Sequence, residues 1–375
     1  MGTMFLETLG KSDKRRSCLK EVRMCRKASL AKVVPILSSL ICLALLPGCA
    51  VNETYISSGA EEGGSIATGV ASAQNTDPFQ AGKQAAEALR EKMGQTPLDA
   101  VIMAECFEDQ AQKKQALKGV CSVLPKDIVF GFATYGSFAQ QGCLDLDSVS
   151  LLGIGGDGIA TSAALRRDLG IAGLTIEENE AELAKRLRTG GVDLANKLSR
   201  RPDDRLLVIM ADAHSPKNQL LLDGAQEVMG KDFPITGGSA NKNAGQTFVY
   251  FQGRMYADAA IALLLSGDFE VSLSGRQAQE NAKVISSAAD SADEALENMK
   301  AKPFSVLAFN CAGRKGKLDN IADELAAIKG VIGNEVPLFG AYCAGEIGPA
   351  DIAEKDPEAL SSGVGWHVMF TVLGR

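Results

Sequence analysis

The 375-residue chain is poor in the side chains from which many active sites are built. It contains only two histidines, His214 and His367, and a single tryptophan. None of the five cysteines after residue 50 belongs to a C-x-x-C pair, which argues against a zinc or thioredoxin-like site. No G-x-S-x-G sequence supports a serine nucleophile. We therefore predict no catalytic residue, no metal site and no cofactor.

The chain also lacks an apolar run of the roughly twenty residues that a permanent membrane helix needs. The apolar residues 33–46 follow a basic segment and lead into Leu46-Pro47-Gly48-Cys49. This order predicts a cleaved signal peptide over residues 1–48, and its end resembles a bacterial lipobox, in which the cysteine is lipidated. An uncleaved anchor, a fortuitous apolar run and a translation start at Met24 remain alternatives. We expect lipidation at Cys49 and a location in the cell envelope, facing the periplasm or the exterior.

A basic surface for nucleic acid is absent as well. Residues 1–48 hold nine basic and three acidic side chains, so their removal leaves a body more acidic than the net charge of -7 on the whole chain. Nucleic acid is therefore excluded as a partner, since phosphate contacts need a basic face. Residues 49–64 are rich in Ser, Gly and Glu, which predicts a solvated tether between lipid and body.

What the chain does contain is a threefold repeat of an apolar strand, a helix, a second apolar strand and a glycine-containing loop. The copies begin at Leu98, Arg205 and Phe304, and they end in the loops 131–136, 237–240 and 340–346. A helix precedes each copy; the first starts at Asp77-Pro78, an N-cap followed by proline at the first helical position. The polar segment 267–281 reads as a domain joint.

These features predict an α/β fold of repeated helix-strand-helix-strand units with mixed sheets covered by helices. The inner strands are almost entirely apolar, which is typical of strands buried on both faces. The segments after each glycine loop read as extended and are joined by short turns, so some strands should pair antiparallel.

In such sheets ligands bind beyond the carboxyl ends of the strands. In the third copy those ends carry Asn310 and Arg314 on one strand and Tyr342, Gly345 and Glu346 on the next. We predict that these five residues form a ligand site. A guanidinium suits a carboxylate and a carboxylate suits an ammonium, so the pair fits an amino acid or a related zwitterion. The alternative is an internal salt bridge between Arg314 and Glu346.

Two further alternatives concern the sulfur and hydroxyl groups near this site. Cys311 and Cys343 each end a strand, and they are either a disulfide or two buried free thiols. A cleft hydrolase or transferase would use a Cys or Ser nucleophile, with Cys343 beside Glu346 as the example. A structural envelope lipoprotein without a ligand is the remaining reading.

Several of these motifs resemble a known family. The segments 309–314, 337–342 and 345–349 are similar to the FIST C domain, and the segment 233–238 with Ala240 and the Gly131 loop is similar to FIST N. The resemblance implies a FIST N-like domain over 65–255 and a FIST C-like domain over 256–375. It also implies a bacterial sensory protein that binds small ligands, such as amino acids, rather than turning them over.

The resemblance is weaker in two loops. The family favours Cys, Ser and Glu where this chain has Phe132, Ala133 and Ser137, and an acidic residue where it has Lys242. The third-copy loop is therefore the better candidate for ligand contact. No output domain accompanies the two FIST-like domains, so a separate membrane signalling partner is implied.

Overall fold

A computed structural model of the chain describes residues 52–57, 59–242 and 247–375. These residues belong to one compact unit, Val51–Arg375. The predicted signal peptide and the lipidation site at Cys49 lie outside the described residues. Within the described ranges, no helix has both the length and the hydrophobicity to cross a membrane.

Part of the predicted tether is a strand. Thr54–Ile56 (β1) pairs antiparallel with Ile159–Arg166 (β8) at the edge of a sheet. Beside it, the Glu53 carboxylate accepts hydrogen bonds from Arg167 Nε at 2.9 Å and from Lys197 Nζ at 2.6 Å. Within the predicted tether, the Thr-Tyr-Ile sequence of β1 is therefore held by partners distant in sequence.

The body consists of three repeats, each with four long strands and two long helices. Repeat 1 contains β2 (Ala67–Gln74), α1 (Pro78–Met93), β3 (Leu98–Cys106), α2 (Gln110–Cys121), β4 (Val129–Ala133), β5 (Ser137–Ala139), β6 (Gly142–Leu144) and β7 (Ser148–Gly155). Repeat 2 contains β8, α3 (Ile176–Lys197), β9 (Asp204–Ala211), α4 (Lys217–Met229), β10 (Ile235–Ser239), β11 (Val249–Phe251), β12 (Arg254–Tyr256) and β13 (Ala260–Gly267). Repeat 3 contains β14 (Glu270–Gln277), α5 (Asn281–Glu297), β15 (Pro303–Cys311), α6 (Ala312–Lys315), α7 (Ile321–Ile332), β16 (Leu338–Cys343), β17 (Glu346–Gly348), β18 (Ser362–Val364) and β19 (His367–Gly374).

The long strands follow the same order in all three sheets. The orders are β2-β7-β3-β4, β8-β13-β9-β10 and β14-β19-β15-β16. In each sheet the second and third long strands along the chain run parallel, namely β3 with β4, β9 with β10 and β15 with β16. The other neighbouring long strands run antiparallel. The predicted α/β class with mixed, helix-covered sheets is confirmed. The polar segment 267–281, predicted as a domain joint, instead contains the edge strand β14.

The first helix illustrates how local sequence sets these elements. Asp77 accepts hydrogen bonds from the backbone N–H groups of Phe79 and Gln80, and Pro78 occupies the first helical position. The helix ends at Gly94, whose φ of 58° is a left-handed conformation that glycine adopts without a Cβ clash. The predicted start and end of this helix are confirmed.

Short hairpins are exchanged between the repeats in a cyclic order. After its third long strand, each repeat sends a hairpin to the edge of another sheet: β5-β6 joins β16, β11-β12 joins β4, and β17-β18 joins β10. The predicted domain boundary between residues 255 and 256 falls inside β12, which belongs to the sheet of repeat 1. The hairpins therefore tie both predicted domains into shared sheets.

Each sheet has one face toward a common core and one toward its own helices. The common core takes side chains from all three sheets, among them Phe130, Leu263 and Phe309. There are three further apolar clusters, one between each sheet and the two long helices of its repeat. Because side chains alternate along a strand, each inner strand is apolar on both faces, as its sequence indicated.

Candidate functional site

The second and third long strands of each repeat end side by side. Their last paired residues are Glu105 with Ala133, Ala211 with Ser239, and Cys311 with Cys343. In the third copy the two strands are therefore neighbours, which is the condition on which the predicted ligand site depends. The glycine loops therefore leave the sheets at a common end of the body, where residues from different repeats meet.

A cleft of about 830 Å³ opens at this end, between loops of repeats 1 and 3 with a contribution from repeat 2. Its aromatic lining comes from Tyr135 and Trp366, both partly exposed. Gly345 and Ser215 also line it, and the backbone N–H of Ser215 donates to the Ala344 carbonyl at 3.1 Å. Among the five predicted site residues, Gly345 is the one that lines this cleft.

The charged groups of the cleft are of both signs. Lys315 Nζ donates to the Tyr135 carbonyl at 2.6 Å and to the Asp145 carboxylate at 2.8 Å. Asp145 and Glu108 are exposed, whereas Lys315 is largely covered. A cation fixed by protein contacts, next to two carboxylates in contact with solvent, is a suitable environment for a ligand that carries an ammonium and a carboxylate.

Three of the predicted site residues do converge, but on a carboxylate of the protein. Arg314 donates from Nη2 to Glu324 Oε1 at 3.1 Å and from Nε to Asn310 Oδ1 at 3.0 Å. Asn310 Nδ2 donates to Glu324 Oε2 at 2.9 Å, and the Tyr342 hydroxyl lies 3.4 Å from the same oxygen. Arg314 also donates to the Ser287 hydroxyl and is fully buried.

The alternation of side chains along the strands explains this outcome. Asn310 and Tyr342 are register partners that face α7, while the next pair, Cys311 and Cys343, faces the opposite side of the sheet. The prediction that Arg314 clamps a ligand carboxylate is therefore corrected: all its nitrogens already have protein partners. The sequence reading missed Glu324, whose only signal was an acid one residue before Leu325 on the apolar face of α7.

Glu346 lies directly after Gly345 at the start of β17, which belongs to the sheet of repeat 2 rather than to that of repeat 3. It is fully buried, and its Oε2 accepts a hydrogen bond from the backbone N–H of His367 at 3.2 Å. Its Oε1 has no hydrogen-bond partner among the described residues. Burial raises the pKa of this carboxyl well above its usual range, although the His367 N–H acts in the opposite direction. The alternative salt bridge is not formed, because Arg314 pairs with Glu324 instead. The raised pKa favours the neutral form of Glu346, which is a poorer partner for an ammonium than a carboxylate is.

The cysteines near the cleft are free thiols. Cys106, Cys311 and Cys343 line the cleft wall, but all three are buried. Burial raises the pKa of Cys311 to about 11, that of Cys106 to about 12 and that of Cys343 well above its usual range. Little thiolate exists at neutral pH under these conditions, so the thiols lack the form that a nucleophile requires.

Repeat 1 has a comparable buried ion pair that the sequence reading missed. Lys113 Nζ donates to Glu105 Oε1 at 3.0 Å and to the Phe107 carbonyl at 2.6 Å, and both charged side chains are fully buried. The Tyr250 hydroxyl, from the exchanged strand β11, also bonds to Glu105. The cluster thus connects β3, α2 and the exchanged strand β11 of repeat 2, which is a structural role.

The two histidines lie apart from the cleft chemistry. His367 Nδ1 bonds to the Gly365 carbonyl at 2.9 Å, and Nε2 accepts from the Asp351 N–H at 3.1 Å, as in a neutral ring protonated at Nδ1. Burial lowers the pKa of His367 and of His214. His214 borders a separate pocket of about 220 Å³. Among the described residues, no group of His, Cys, Asp and Glu has an arrangement suited to a metal ion.

A larger groove of about 1010 Å³ lies near the opposite ends of the strands, bordered by Arg205, Asp268 and Arg375. It is built from strand starts, helix ends, the β13–β14 turn and the carboxyl end of β19 rather than from the glycine loops. We favour the smaller cleft as the functional site, because the carboxyl ends of strands are where loops vary without cost to the core.

Comparison with known proteins assigns the family. The family model for the FIST N domain matches residues 99–290, and the one for the FIST C domain matches residues 258–349. No curated protein matches the chain. Among solved structures, the chain is similar to a cyanuric acid hydrolase described as an evolutionary innovation by structural concatenation, with 9% identity, a TM-score of 0.41 and coverage of 83% of this chain and 99% of the other.

Similar values relate it to the cyanuric acid hydrolase of A. caulinodans, with 11% identity, a TM-score of 0.42 and coverage of 83% and 99%. PurLQS from Thermotoga maritima matches at 7% identity and a TM-score of 0.28, with coverage of 83% of this chain and 72% of the other. FIST domains are associated with sensory signal transduction. Because the two family models together match residues 99–349, this chain belongs to the FIST family.

Proposed function

We propose that this protein is the ligand-binding component of a sensory system and that it binds an amino acid or a related zwitterionic metabolite in the cleft at the glycine loops. The observation that carries the proposal is that one cleft holds a fixed cation, Lys315, which pairs with Asp145, together with a second exposed carboxylate, Glu108. Lys315 takes the role first assigned to Arg314, and the two acids take the role first assigned to Glu346. Gly345 remains a proposed site residue, since it lines the same cleft.

A thermal-shift screen against amino acids, dipeptides and small organic acids tests this proposal. A ligand that binds only the folded protein adds about 2.7 kcal/mol of stability at roughly 100 times its Kd. We expect a selective rise in Tm with zwitterionic compounds. Replacing Lys315 with alanine should weaken the affinity roughly tenfold, because a charge-assisted hydrogen bond is lost.

The matched control is Lys355→Ala, which removes an exposed lysine outside the cleft. Each variant is compared with its own ligand-free Tm, so that a loss of basal stability is not mistaken for a loss of binding. A flat screen for the unaltered protein, or equal affinities for both variants, would count against the proposal. We also propose binding without turnover, and recovery of the ligand chemically unchanged is the expected result.

We further propose that the body is tied to the cell envelope by lipid on Cys49 and passes its signal to a separate membrane partner. The support is the basic and apolar leader with Leu46-Pro47-Gly48-Cys49 at its end. Replacing Cys49 with serine should move the protein from the membrane fraction to the soluble fraction of cells. Equal membrane retention of both forms would contradict the lipid anchor.

A further inference from the structure

The single tryptophan of the chain has an unusual backbone conformation at the edge of the cleft. Trp366 has a φ of 64°, in the left-handed region that large side chains rarely adopt. The next residue, His367, starts β19. The carbonyl of Trp366 accepts a hydrogen bond from the Ala278 N–H at 3.1 Å. The surrounding structure thus holds a bulky ring in a costly conformation beside a cleft, and such outliers concentrate at functional sites.

The indole ring of Trp366 packs against Gly313, a position where the backbone conformation does not itself require glycine. Gly313 has no left-handed φ, but a Cβ placed on it would lie 2.9 Å from Cζ3 of Trp366 and 3.1 Å from Cη2. Glycine at this position therefore makes room for the indole. Lys317 Nζ lies 5.7 Å from the ring centroid and helps to fix the ring through a cation–π contact.

The ring is thus positioned, yet partly exposed, and it borders the same cleft as Tyr135, Lys315 and Asp145. A fixed aromatic surface next to groups of both charge signs is complementary to a ligand that has a flat ring at one end and charged groups at the other. We infer that the cleft selects amino-acid-like ligands with a planar, aromatic side chain, which stacks on Trp366. This inference rests on the proposed ligand-binding function and specifies its ligand class.

The single tryptophan also supplies the readout. L-Phenylalanine should change the indole fluorescence of the unaltered protein, because the ligand ring contacts Trp366 directly. Two matched probes separate stacking from simple hydrophobic filling: cyclohexylalanine has a ring of similar size without a π-system, and leucine has no ring. We expect phenylalanine to bind about three- to tenfold more tightly than cyclohexylalanine.

Variants then assign the effect to the ring and its position, with affinity measured by calorimetry. Trp366→Leu should reduce phenylalanine affinity about three- to tenfold and leave leucine affinity within about twofold, while Trp366→Phe should retain most of the preference. Gly313→Ala should weaken phenylalanine binding because its Cβ displaces the indole. Its control is Gly330→Ala, since a Cβ at Gly330 has nothing within 4 Å.

The outcomes separate this inference from the function on which it rests. If none of the probes or other zwitterions binds, the proposed function fails. If zwitterions bind but phenylalanine and cyclohexylalanine bind equally, or Trp366→Leu leaves the preference unchanged, the function stands and the stacking role of Trp366 is overturned. Circular dichroism and the ligand-free Tm of each variant identify any that does not fold, and Trp366→Phe and Gly313→Ala then provide the decisive comparison.

Discussion

Replacing Arg314 with methionine is expected to destabilise the protein by about 3–5 kcal/mol, the range for breaking a buried ion pair by removing one partner. Methionine retains much of the aliphatic volume but none of the donors. Glu324 then stays fully buried without its cation, while Asn310 and Ser287 lose a hydrogen-bond partner. Urea denaturation followed by circular dichroism measures the change as a lower midpoint at an unchanged slope.

The double variant Arg314→Met with Glu324→Leu is the sharper test. If the cost of the single change comes from the uncompensated carboxylate, removing that carboxylate should recover most of the lost stability, since apolar replacement of a buried pair is often close to neutral. Arg188→Met is the control, because the pair of Arg188 with Glu227 is exposed and should contribute less than about 1 kcal/mol. A loss below that level for Arg314→Met would contradict the structural role assigned to this residue.

Replacing Glu346 with glutamine is expected to stabilise the protein at neutral and alkaline pH. The pKa of Glu346 is raised above its ordinary value of 4.5, chiefly by burial. Between the unfolded and the folded pKa, the folded state therefore binds more protons than the unfolded state, and stability falls as pH rises. Glutamine does not titrate, so it removes this penalty. We expect a gain of roughly 1 kcal/mol or more at pH 8, because burying an ionised carboxylate costs more than burying a neutral amide, and little gain at pH 4.

The comparison of variant with unaltered protein is essential, because other buried carboxyls titrate in the same direction. Burial also raises the pKa of Glu105 and of Glu324, and it raises that of Asp99 to about 6. The difference between the two stability curves isolates Glu346. Glu335→Gln changes an exposed acid and serves as the control. Parallel curves for Glu346→Gln and the unaltered protein would show that this carboxyl has no raised pKa.

The candidate site was predictable to the extent that it depends on strand order. The apolar strands and glycine loops indicated that Asn310 and Tyr342 end neighbouring strands, and they are register partners in the structure. The face of the sheet was not indicated, because both faces are buried and the alternation of polar and apolar residues that identifies a face is missing. The exchange of β17 into the sheet of repeat 2 was not indicated either. Arg314 and Glu346 were therefore expected together, although Arg314 pairs with Glu324 and Glu346 lies in another sheet.

The groups that do line the cleft could not be found from one repeat alone. Lys315 directly follows the predicted site residue Arg314, but its partner Asp145 comes from repeat 1, 170 positions away in sequence. Trp366 precedes β19 and meets Gly313 only because the fourth strand of repeat 3 lies beside the second. Contacts of this kind depend on sheet order, which local sequence patterns do not specify.

The sequence by itself determined the elements: three repeats of apolar strands and helices, the N-cap at Asp77, the glycine at the end of the first helix, and the family motifs. These are local properties, set by capping, by φ preferences and by hydrophobic period. The tertiary structure alone decided that hairpins are exchanged among the sheets, that Glu324 completes the Arg314 cluster, and that Lys315, Asp145 and Trp366 share a cleft. Those outcomes depend on which surfaces, distant in sequence, bury each other. Local sequence patterns do not predict them, because burial is a property of the whole fold.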